Sequence, residues 1–222
     1  MDNGDFWEKS WQTEDPEAIY RHLTGCQELA CAEIAFFKQA GLRHVCDAAC
    51  GFGAYTLALV SNGFSVESFD ISETAVRLTR ENLKKLGYDV PVRAADITRT
   101  GYRDGCFDGV FAHSVLDHMT CADARAALAE LFRIVRPGGL VLLSFDTPEA
   151  ADYAFEHVLL PDGSLLYRGA SRRSGMIFHP YDAEGIARLI DGRKPVWEAV
   201  NGKGERIVIL EKQRRDSPQA GC

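Results

Sequence analysis

Short apolar segments alternate with longer amphipathic segments along the chain from residue 42. The apolar segments, several of them rich in β-branched residues, predict five strands, at 43–48, 64–70, 90–96, 106–115 and 140–145. Apolar residues at helical spacing predict helices between them, at 54–62, at 72–87 and from 120 onward. This alternation is typical of βα units that build one parallel sheet.

Residues with strong preferences for helix ends mark these helices. Ser72 and Thr120 each precede a helical pattern, where a hydroxyl can accept a backbone N–H. Gly63 and Gly87 follow helical patterns, and glycine often ends a helix because it adopts a left-handed backbone. We expect the helix that begins after Thr120 to end at the Pro-Gly-Gly sequence 137–139.

The segments outside this alternation have weaker patterns. Residues 15–41 carry a helical apolar pattern, whereas residues 147–178 predict a hairpin around Pro161-Asp162-Gly163 and a further extended piece. A short helix capped by Asp182 follows, and then two strands joined by the turn at 201–204. Residues 147–178 are therefore a candidate insertion.

The composition favours a small-molecule partner. The chain has 222 residues, 46% of them hydrophobic, which is enough for one sizeable core. It has 25 Lys and Arg against 32 Asp and Glu, and the net charge of -7 argues against nucleic acid or an anionic membrane as partner. No basic region followed by an apolar run begins the chain, and no stretch of roughly 18 apolar residues occurs. We therefore expect a cytoplasmic protein that does not bind membranes.

The seven cysteines give no sign of a metal site. Their number is odd and they lack paired C-x-x-C spacing, so neither a disulfide framework nor a zinc site is indicated. We expect reduced thiols and no metal. The pairs Cys26 with Cys31 and Cys46 with Cys50 leave thiol or metalloid chemistry, such as arsenite methylation, as a disfavoured alternative.

A glycine turn follows the first predicted strand, in the sequence DAACGFG that begins at Asp47. Gly51 and Gly53 let a ligand approach the backbone closely, and the helix that follows points its free N–H groups at that ligand. Asp70, 23 residues after Asp47, ends the second strand and should lie beside the turn. Because a carboxylate at this place can accept both hydroxyls of a ribose, the sequence predicts a nucleoside-containing ligand.

The spacing around the glycines distinguishes two nucleoside cofactors. The dinucleotide fingerprint is G-x-G-x-x-G, and Thr56 stands at its third glycine, which disfavours NAD. The acidic residue four positions before Gly51 is instead similar to motif I, D-x-G-x-G-x-G, of the class I S-adenosylmethionine-dependent methyltransferases. The sequence departs from that motif at Ala49, which replaces the first glycine and could crowd the methionine end of the cofactor.

The resemblance extends over roughly residues 15–212. The sequences FDGVFAHSVLDHM and LFRIVRPGGLVLLSF are similar to the family's fourth-strand motif and to its helix, proline–glycine turn and fifth strand. The resemblance implies S-adenosylmethionine as cofactor, with Asp70 on the ribose, Ile71 and Ile97 on the adenine ring and Asp96 on the adenine amino group. The cofactor-binding residues predicted in this way are Asp47, Ala49, Gly51, Gly53, Asp70, Ile71, Asp96, Ile97 and His113.

The resemblance also implies the architecture. We expect a single α/β domain with a Rossmann-like, doubly wound, seven-stranded sheet, mostly parallel with an antiparallel strand in a C-terminal hairpin. Its predicted segments are an N-terminal helical lid at 1–41, a cofactor-binding core at 42–146, an insertion over the active site at 147–179, a C-terminal helix and β-hairpin at 180–212 and a flexible tail at 213–222.

Several polar residues follow the fourth predicted strand, where the methyl donor would lie. Because a sulfonium is already a strong electrophile, the protein mainly has to align the nucleophile, and an oxygen or nitrogen nucleophile also needs a proton acceptor. We predict His118, with Asp117 beside it, as that general base, and we place His113 at the methionine end of the cofactor or in the pocket wall. The alternative is that these histidines make only local hydrogen bonds.

Two aromatic residues near the N-terminus are candidates for the acceptor pocket. Trp11 and Tyr20 lie in an aromatic leader that resembles the leaders folded over the cofactor in some methyltransferases. Their rings would cover the sulfonium by cation–π contact or close a hydrophobic pocket. The alternative is that they only pack the leader onto the sheet.

The candidate insertion supplies three more pocket candidates. Arg168, together with Arg172 and Arg173, forms a basic cluster that would steer an acidic substrate or is simply a solvated loop. His179 and Tyr181 lie between the insertion and the next helix, where both could line the pocket. Tyr181 alternatively only packs in front of that helix.

The sequence thus predicts an S-adenosylmethionine-dependent methyltransferase (EC 2.1.1.-) that methylates an O, N or S nucleophile of a small molecule. One alternative is a non-catalytic protein that keeps the nucleoside site as a sensor or partner-binding module, and a less favoured one is an NAD-dependent oxidoreductase. The acceptor and the oligomeric state stay open, since the fold alone does not supply them.

Overall fold

Strands and helices alternate through most of the chain, as the apolar pattern predicts. The computed structural model describes residues 3–26 and 31–214. The strands are β1 (His44–Ala48), β2 (Ser65–Asp70), β3 (Val92–Ala94), β4 (Phe107–Ala112), β5 (Val135–Phe145), β6 (His157–Leu159), β7 (Leu165–Tyr167), β8 (Ile177–Phe178), β9 (Trp197–Val200) and β10 (Arg206–Glu211). The helices are α1 (Asn3–Gln12), α2 (Pro16–Thr24), α3 (Ala32–Gln39), α4 (Ala54–Ser61), α5 (Glu73–Lys85), α6 (Cys121–Ile134), α7 (Ala150–Ala154) and α8 (Ala183–Leu189), with a 3₁₀ turn at Leu116–His118.

The main sheet has seven strands in the order β3-β2-β1-β4-β5-β10-β9. Strands β1 to β5 pair in parallel, and β10 pairs antiparallel with both β5 and β9. The chain winds outward from β1 to β3 and then returns to β4 on the other side of β1, so the winding reverses between β1 and β4. The predicted doubly wound, mostly parallel sheet is confirmed.

Both faces of this sheet are buried. Successive strand residues point to opposite faces, so Val45 joins the apolar cluster that includes residues of α3, α4 and α5, whereas Cys46 joins the cluster of α6 and α8. Strands covered on both faces are apolar throughout, as β5 is from Leu140 onward apart from Ser144. The two layers of helices hold the carboxyl ends of β1, β2 and β4 at one edge of the sheet.

The predicted helix starts are confirmed at three positions. The side-chain oxygens of Ser72, Thr120 and Asp182 each accept the N–H of the residue three positions further on, at 3.1, 3.2 and 2.6 Å. The predicted end of α6 is wrong: the helix ends at Ile134, and Pro137 already belongs to β5. A proline disfavours helical backbone at the residue before it, so the helix ends earlier than the proline itself.

A second, three-stranded antiparallel sheet follows β5, in the order β6-β7-β8. Its first two strands form a hairpin at the turn predicted around Pro161-Asp162-Gly163, closed by a hydrogen bond from Leu160 N to Ser164 O of 2.8 Å. Phe6 of α1 packs against apolar residues of this small sheet, including Tyr167.

Within the described ranges, no helix has the length and apolar character needed to cross a membrane. Most of the predicted tail at 213–222, including Cys222, lies outside the described residues.

Candidate active site

A cavity of about 560 Å³ opens at the carboxyl ends of β1, β2 and β4, beneath α1 and α2. This is the edge at which doubly wound sheets bind ligands, close to the reversal of winding. Ten of the residues predicted for cofactor, catalysis or acceptor line it: Trp11, Asp47, Ala49, Gly51, Asp70, Ile71, Asp96, Ile97, His113 and His118.

The glycine turn is fixed from both sides. The Gly51 N–H donates to Asp70 Oδ2 at 2.8 Å, and the Gly51 carbonyl accepts from Thr79 Oγ1 at 2.7 Å. Gly53 has φ +91°, and a Cβ there would come within 2.7 Å of the Thr79 side chain. Gly53 therefore packs the turn onto α5, and it is not among the residues that line the cavity.

Ala49 adopts a left-handed backbone with φ +57°. This is the position at which the family motif has its first glycine, and alanine is strained there because its Cβ crowds the following carbonyl, at a cost of roughly 1–2 kcal/mol. The methyl group of Ala49 also lines the cavity.

We expect Ala49→Gly to stabilise the protein. Relief of the left-handed strain outweighs the added freedom of glycine in the unfolded chain by roughly 0.5–1 kcal/mol, which should raise the melting temperature by about 1–3 °C. Thermal unfolding followed by circular dichroism measures this. Ala48→Gly is the matched control, because Ala48 is a buried strand residue without positive φ and its replacement should lower the melting temperature. A lower melting temperature for Ala49→Gly would contradict the strain.

Asp70 presents a carboxylate to the cavity. It is buried, and its two carboxylate oxygens accept the N–H groups of Gly51 at 2.8 Å and Ser72 at 2.9 Å. A carboxylate has about four lone-pair sites, so two remain for the cavity that Asp70 lines. Burial raises the pKa of Asp70, and the N–H donors of Ser72 and Gly51 oppose that rise.

The predicted adenine end is more open. Ile71 lines the cavity although 37% of its surface is exposed, so its apolar side chain is available for contact with a flat ring. Asp96 is exposed, and its Oδ1 accepts both the N–H and the hydroxyl of Thr98, at 2.7 and 2.8 Å. Ile97 is buried beside it.

Asp47 lies at the floor of the cavity and is buried. The Thr56 hydroxyl donates to Asp47 Oδ2 at 2.5 Å and lies 3.0 Å from Ser68 Oγ. Burial raises the pKa of Asp47 to about 6, although the Thr56 hydrogen bond opposes this. Thr56, which stands at the third glycine position of the dinucleotide fingerprint, thus donates a hydrogen bond to Asp47 at the start of the glycine turn.

The raised pKa of Asp47 predicts a pH dependence of stability. Because the folded value of about 6 exceeds the ordinary value of 3.8, the folded chain holds this proton more tightly. The contribution is therefore present at low pH and is lost as the pH rises through 6, a loss of about 1.4 kcal/mol between pH 5 and pH 8. Asp47→Asn removes this pH dependence. In urea unfolding, the free energy of unfolding of the variant minus that of wild type should therefore rise by this amount from pH 5 to pH 8. An equal difference at both pH values would contradict the burial of a charge here.

Helix α1 covers the cavity and contacts both α5 and the 3₁₀ turn through residues near its middle. Glu8 accepts hydrogen bonds from the Ser72 hydroxyl at 2.6 Å and from the Thr74 N–H and hydroxyl at 3.1 and 2.6 Å, at the start of α5. These hydrogen bonds, first that of Ser72 and then that of Thr74, lower the pKa of Glu8 to about 2. At the other side, the Trp7 ring lies edge-on to the His118 ring at 5.3 Å.

His113 forms the wall between the glycine turn and the C-terminal hairpin. Its ring stacks on Tyr55 at 4.3 Å, its Nδ1 lies 3.1 Å from Ser114 Oγ, and its Nε2 lies 3.5 Å from Glu205 Oε2. The His113 ring, and then the Asn201 side chain, lower the pKa of Glu205 to about 2, although burial opposes this.

Asp117 lies beside His118 as predicted, with a carboxylate oxygen within 4.8 Å of a His118 ring nitrogen, but Asp117 does not face the cavity. Asp117 is fully buried, is not among the cavity residues, and its Oδ2 accepts the backbone N–H of Asp146 at 2.9 Å. Burial raises the pKa of Asp117, while the His118 ring opposes that rise. The carboxylate that approaches the His118 Nε2 is that of Asp146, at 3.9 Å. Asp117 therefore holds the turn in place, and Asp146 faces the histidine.

Four predicted acceptor residues do not line the cavity. Tyr20 lies on α2 beneath the Lys85 ammonium, which is 5.2 Å from its ring, and Arg168 is exposed. Tyr181 is buried against Phe145, with ring centroids 5.1 Å apart, and is core rather than pocket wall. His179 belongs to a different polar cluster, at the start of α6.

The sequence analysis did not single out Tyr55, Asp146, Lys203 or Glu205. Asp146 follows the end of β5 directly, so the strand-end rule that found Asp70 would have found it as well. Lys203 and Glu205 reach the cavity from the turn between β9 and β10, where no local pattern points to a ligand.

The cavity fits S-adenosylmethionine, because it combines a left-handed turn, the Asp70 carboxylate and the partly exposed apolar side chain of Ile71. The methyltransferase domain family matches residues 46–143. The ubiquinone biosynthesis O-methyltransferase of Thiobacillus denitrificans is 31% identical over 163 residues, which cover 69% of this chain and 68% of that protein. The demethylmenaquinone methyltransferase of Beutenbergia cavernae is 36% identical over 110 residues, covering 49% of this chain and 43% of that protein.

The fold recurs in solved structures. A SAM-dependent methyltransferase from Methanosarcina mazei superposes with a TM-score of 0.67 at 20% identity, covering 83% of this chain and 98% of that one. The chain belongs to the class I S-adenosylmethionine-dependent methyltransferases, and S-adenosylmethionine is its cofactor. It spans about half or less of the length of several curated relatives that it matches.

Proposed function

We propose that the protein transfers the methyl group of S-adenosylmethionine to an oxygen, nitrogen or sulfur nucleophile of a small molecule. One observation carries the proposal: a single cavity is lined by Asp70 and Asp96, which would hold the adenosine, and by His118. A volume of about 560 Å³ lies in the range of sites that enclose a small ligand.

Different residues of the cavity would hold different parts of the cofactor. S-adenosylmethionine, when bound, supplies a methyl carbon on a positively charged sulfur. Asp70 would hold its ribose, Ile71 and Ile97 its adenine, and the turn at Ala49 and Gly51 its methionine end. His113 and Tyr55 would form the wall beside the methionine. The aromatic lining from α1 excludes water from the acceptor.

His118 is our candidate for the base. Its ring lines the cavity, and Trp7 limits its rotation. His118 would take the acceptor's proton at Nε2, and the Asp146 carboxylate, 3.9 Å from that atom, would stabilise the resulting imidazolium. Asp117 contributes by fixing the backbone of Asp146.

The class of acceptor is suggested by the relatives and by the cavity lining. Two relatives are named for ubiquinone biosynthesis O-methylation and for demethylmenaquinone methylation. The cavity here contains Trp7, Trp11, Phe52 and Met119, which suit an aromatic acceptor. The net charge of -7 supports a small molecule rather than nucleic acid or an anionic membrane. The six cysteines within the described residues are free thiols, which supports a reducing, cytoplasmic location.

A transfer assay with methyl-tritiated S-adenosylmethionine tests this function. The acceptor panel contains hydroxylated aromatics and quinols first, then carboxylates, amines and thiols. We expect a labelled product from at least one hydroxylated aromatic, and a lower rate from the Asp70→Ala variant when S-adenosylmethionine is below saturation. Tight binding of S-adenosylhomocysteine without transfer to any acceptor class would favour the non-catalytic binding module instead.

A further inference from the structure

A second polar cluster lies outside the cavity, where the small sheet meets the start of α6. It consists of Cys121, Asp162 and His179, and each offers one ligand atom within 4.8 Å of the other two. Cys121 Sγ lies 3.4 Å from His179 Nε2. Because these residues are 41 and 17 positions apart in sequence, their spacing does not reveal the cluster.

Hydrogen bonds hold two of the three side chains in place. The Asp162 carboxylate accepts the Cys121 N–H at 2.7 Å and the Ser164 N–H at 3.1 Å. The buried Ser164 hydroxyl lies 3.0 Å from His179 Nδ1, which leaves Nε2 for another partner. Metal-binding histidines commonly have such a partner on the second ring nitrogen, because it fixes the tautomer and the ring orientation.

A buried, unpaired hydroxyl points to a ligand at the same place. Tyr181 is only 3% exposed, its ring lies 4.3 Å from that of His179, and its hydroxyl neighbours the Cys121 thiol. Among the described residues, that hydroxyl has no hydrogen-bond partner of normal geometry. Leaving a buried hydroxyl unpaired is costly, and a water molecule on a bound ion would supply the missing partner.

We infer that Cys121, Asp162 and His179 bind one zinc ion, with water as the fourth ligand. Thiolate, imidazole and carboxylate together are typical zinc ligands, whereas magnesium and calcium prefer oxygen alone. Tetrahedral bonds of about 2.3 Å to sulfur and 2.1 Å to nitrogen would place these two atoms about 3.6 Å apart, close to the separation found here. The sulfur lies 3.6 Å from Nδ1 as well, so binding requires the imidazole to turn its Nε2 toward the ion. The Cys121 thiol loses its proton to solvent on binding.

The ion would stabilise the part of the protein next to His118, where the acceptor is proposed to bind. The His179 N–H donates to the Asp117 carbonyl at 2.7 Å, and Asp117 precedes His118 in the 3₁₀ turn. Asp162 and His179 flank β7 and β8 of the small sheet, while Cys121 begins α6. One ion at this junction would fasten the small sheet to the turn that carries His118.

Cobalt and zinc binding to the full chain test this site without any activity assay. After treatment with chelator, wild type should bind one equivalent of Co²⁺ and show the thiolate-to-cobalt absorption band, which Zn²⁺ then displaces. Cys121→Ser should lose the band, and His179→Gln should weaken zinc binding by at least about 100-fold. Ser164→Ala, which removes only the orienting hydroxyl, should weaken it by about 10-fold.

Cys106→Ser is the matched control, because Cys106 is a half-buried free thiol at the opposite end of the sheet. It should keep the band and the affinity of wild type. Circular dichroism checks that each variant is folded, and His179→Gln carries the test if Cys121→Ser does not fold. A folded wild-type chain without the thiolate band, or a band that survives in Cys121→Ser, would overturn the site.

Discussion

His118→Ala should lower kcat by roughly 10²- to 10⁴-fold, the usual contribution of a positioned general base. The expected cause is the loss of the imidazole that faces the acceptor beneath Trp7. The affinity for S-adenosylhomocysteine should change little, because His118 does not belong to the adenosine end of the cavity. Steady-state kinetics with the best acceptor from the transfer assay, together with calorimetry, separate the two effects.

Two further variants make this test specific. Asp146→Asn keeps the shape of the side chain but removes the charge near His118 Nε2, so it should lower kcat by a smaller factor. His157→Ala changes a histidine of the small sheet outside the cavity and should leave kcat unchanged. A His118→Ala enzyme with full kcat would show that alignment alone accelerates the transfer and that His118 is not a base.

Asp70→Ala should weaken the binding of S-adenosylhomocysteine by about 30-fold, on the order of 2 kcal/mol. The variant loses charge-assisted hydrogen bonds to the ribose and also the acceptor that fixes the Gly51 N–H. The first loss acts on the bound state and the second also loosens the turn in the free protein; both weaken binding, so the dissociation constant from calorimetry is the quantity to compare.

Glu67→Ala is the matched control for Asp70. Glu67 lies on the same strand, but its carboxylate pairs with His44 at 3.2 Å and is outside the cavity. Its removal should leave cofactor affinity unchanged. If folded Asp70→Ala bound the ligand as tightly as Glu67→Ala does, the ribose would have to lie elsewhere.

The fold and the cavity residues around the glycine turn were predictable because local rules determine them. The glycine positions and the carboxylate that ends β2 lie within about 25 residues of one another, so a single motif contains them. Ser72 illustrates this: it was predicted as a helix cap, and its N–H also fixes the Asp70 carboxylate.

The acceptor side was less predictable because it is assembled from distant segments. Asp117 and His118 are neighbours in sequence, yet the backbone of the 3₁₀ turn buries one side chain and leaves the other on the cavity. Tyr181 is apolar enough to be buried in the core, and residue type alone does not distinguish core from pocket wall. Contacts of α1 with α5, such as Glu8 with Thr74, span 66 residues and leave no local pattern.

Calorimetric titration of the wild-type chain with S-adenosylhomocysteine and, separately, with NAD tests the central assignment most directly. We expect one molecule of S-adenosylhomocysteine per chain, bound through Asp70, and no heat of binding with NAD. Binding of NAD without binding of S-adenosylhomocysteine would contradict the assignment of this cavity.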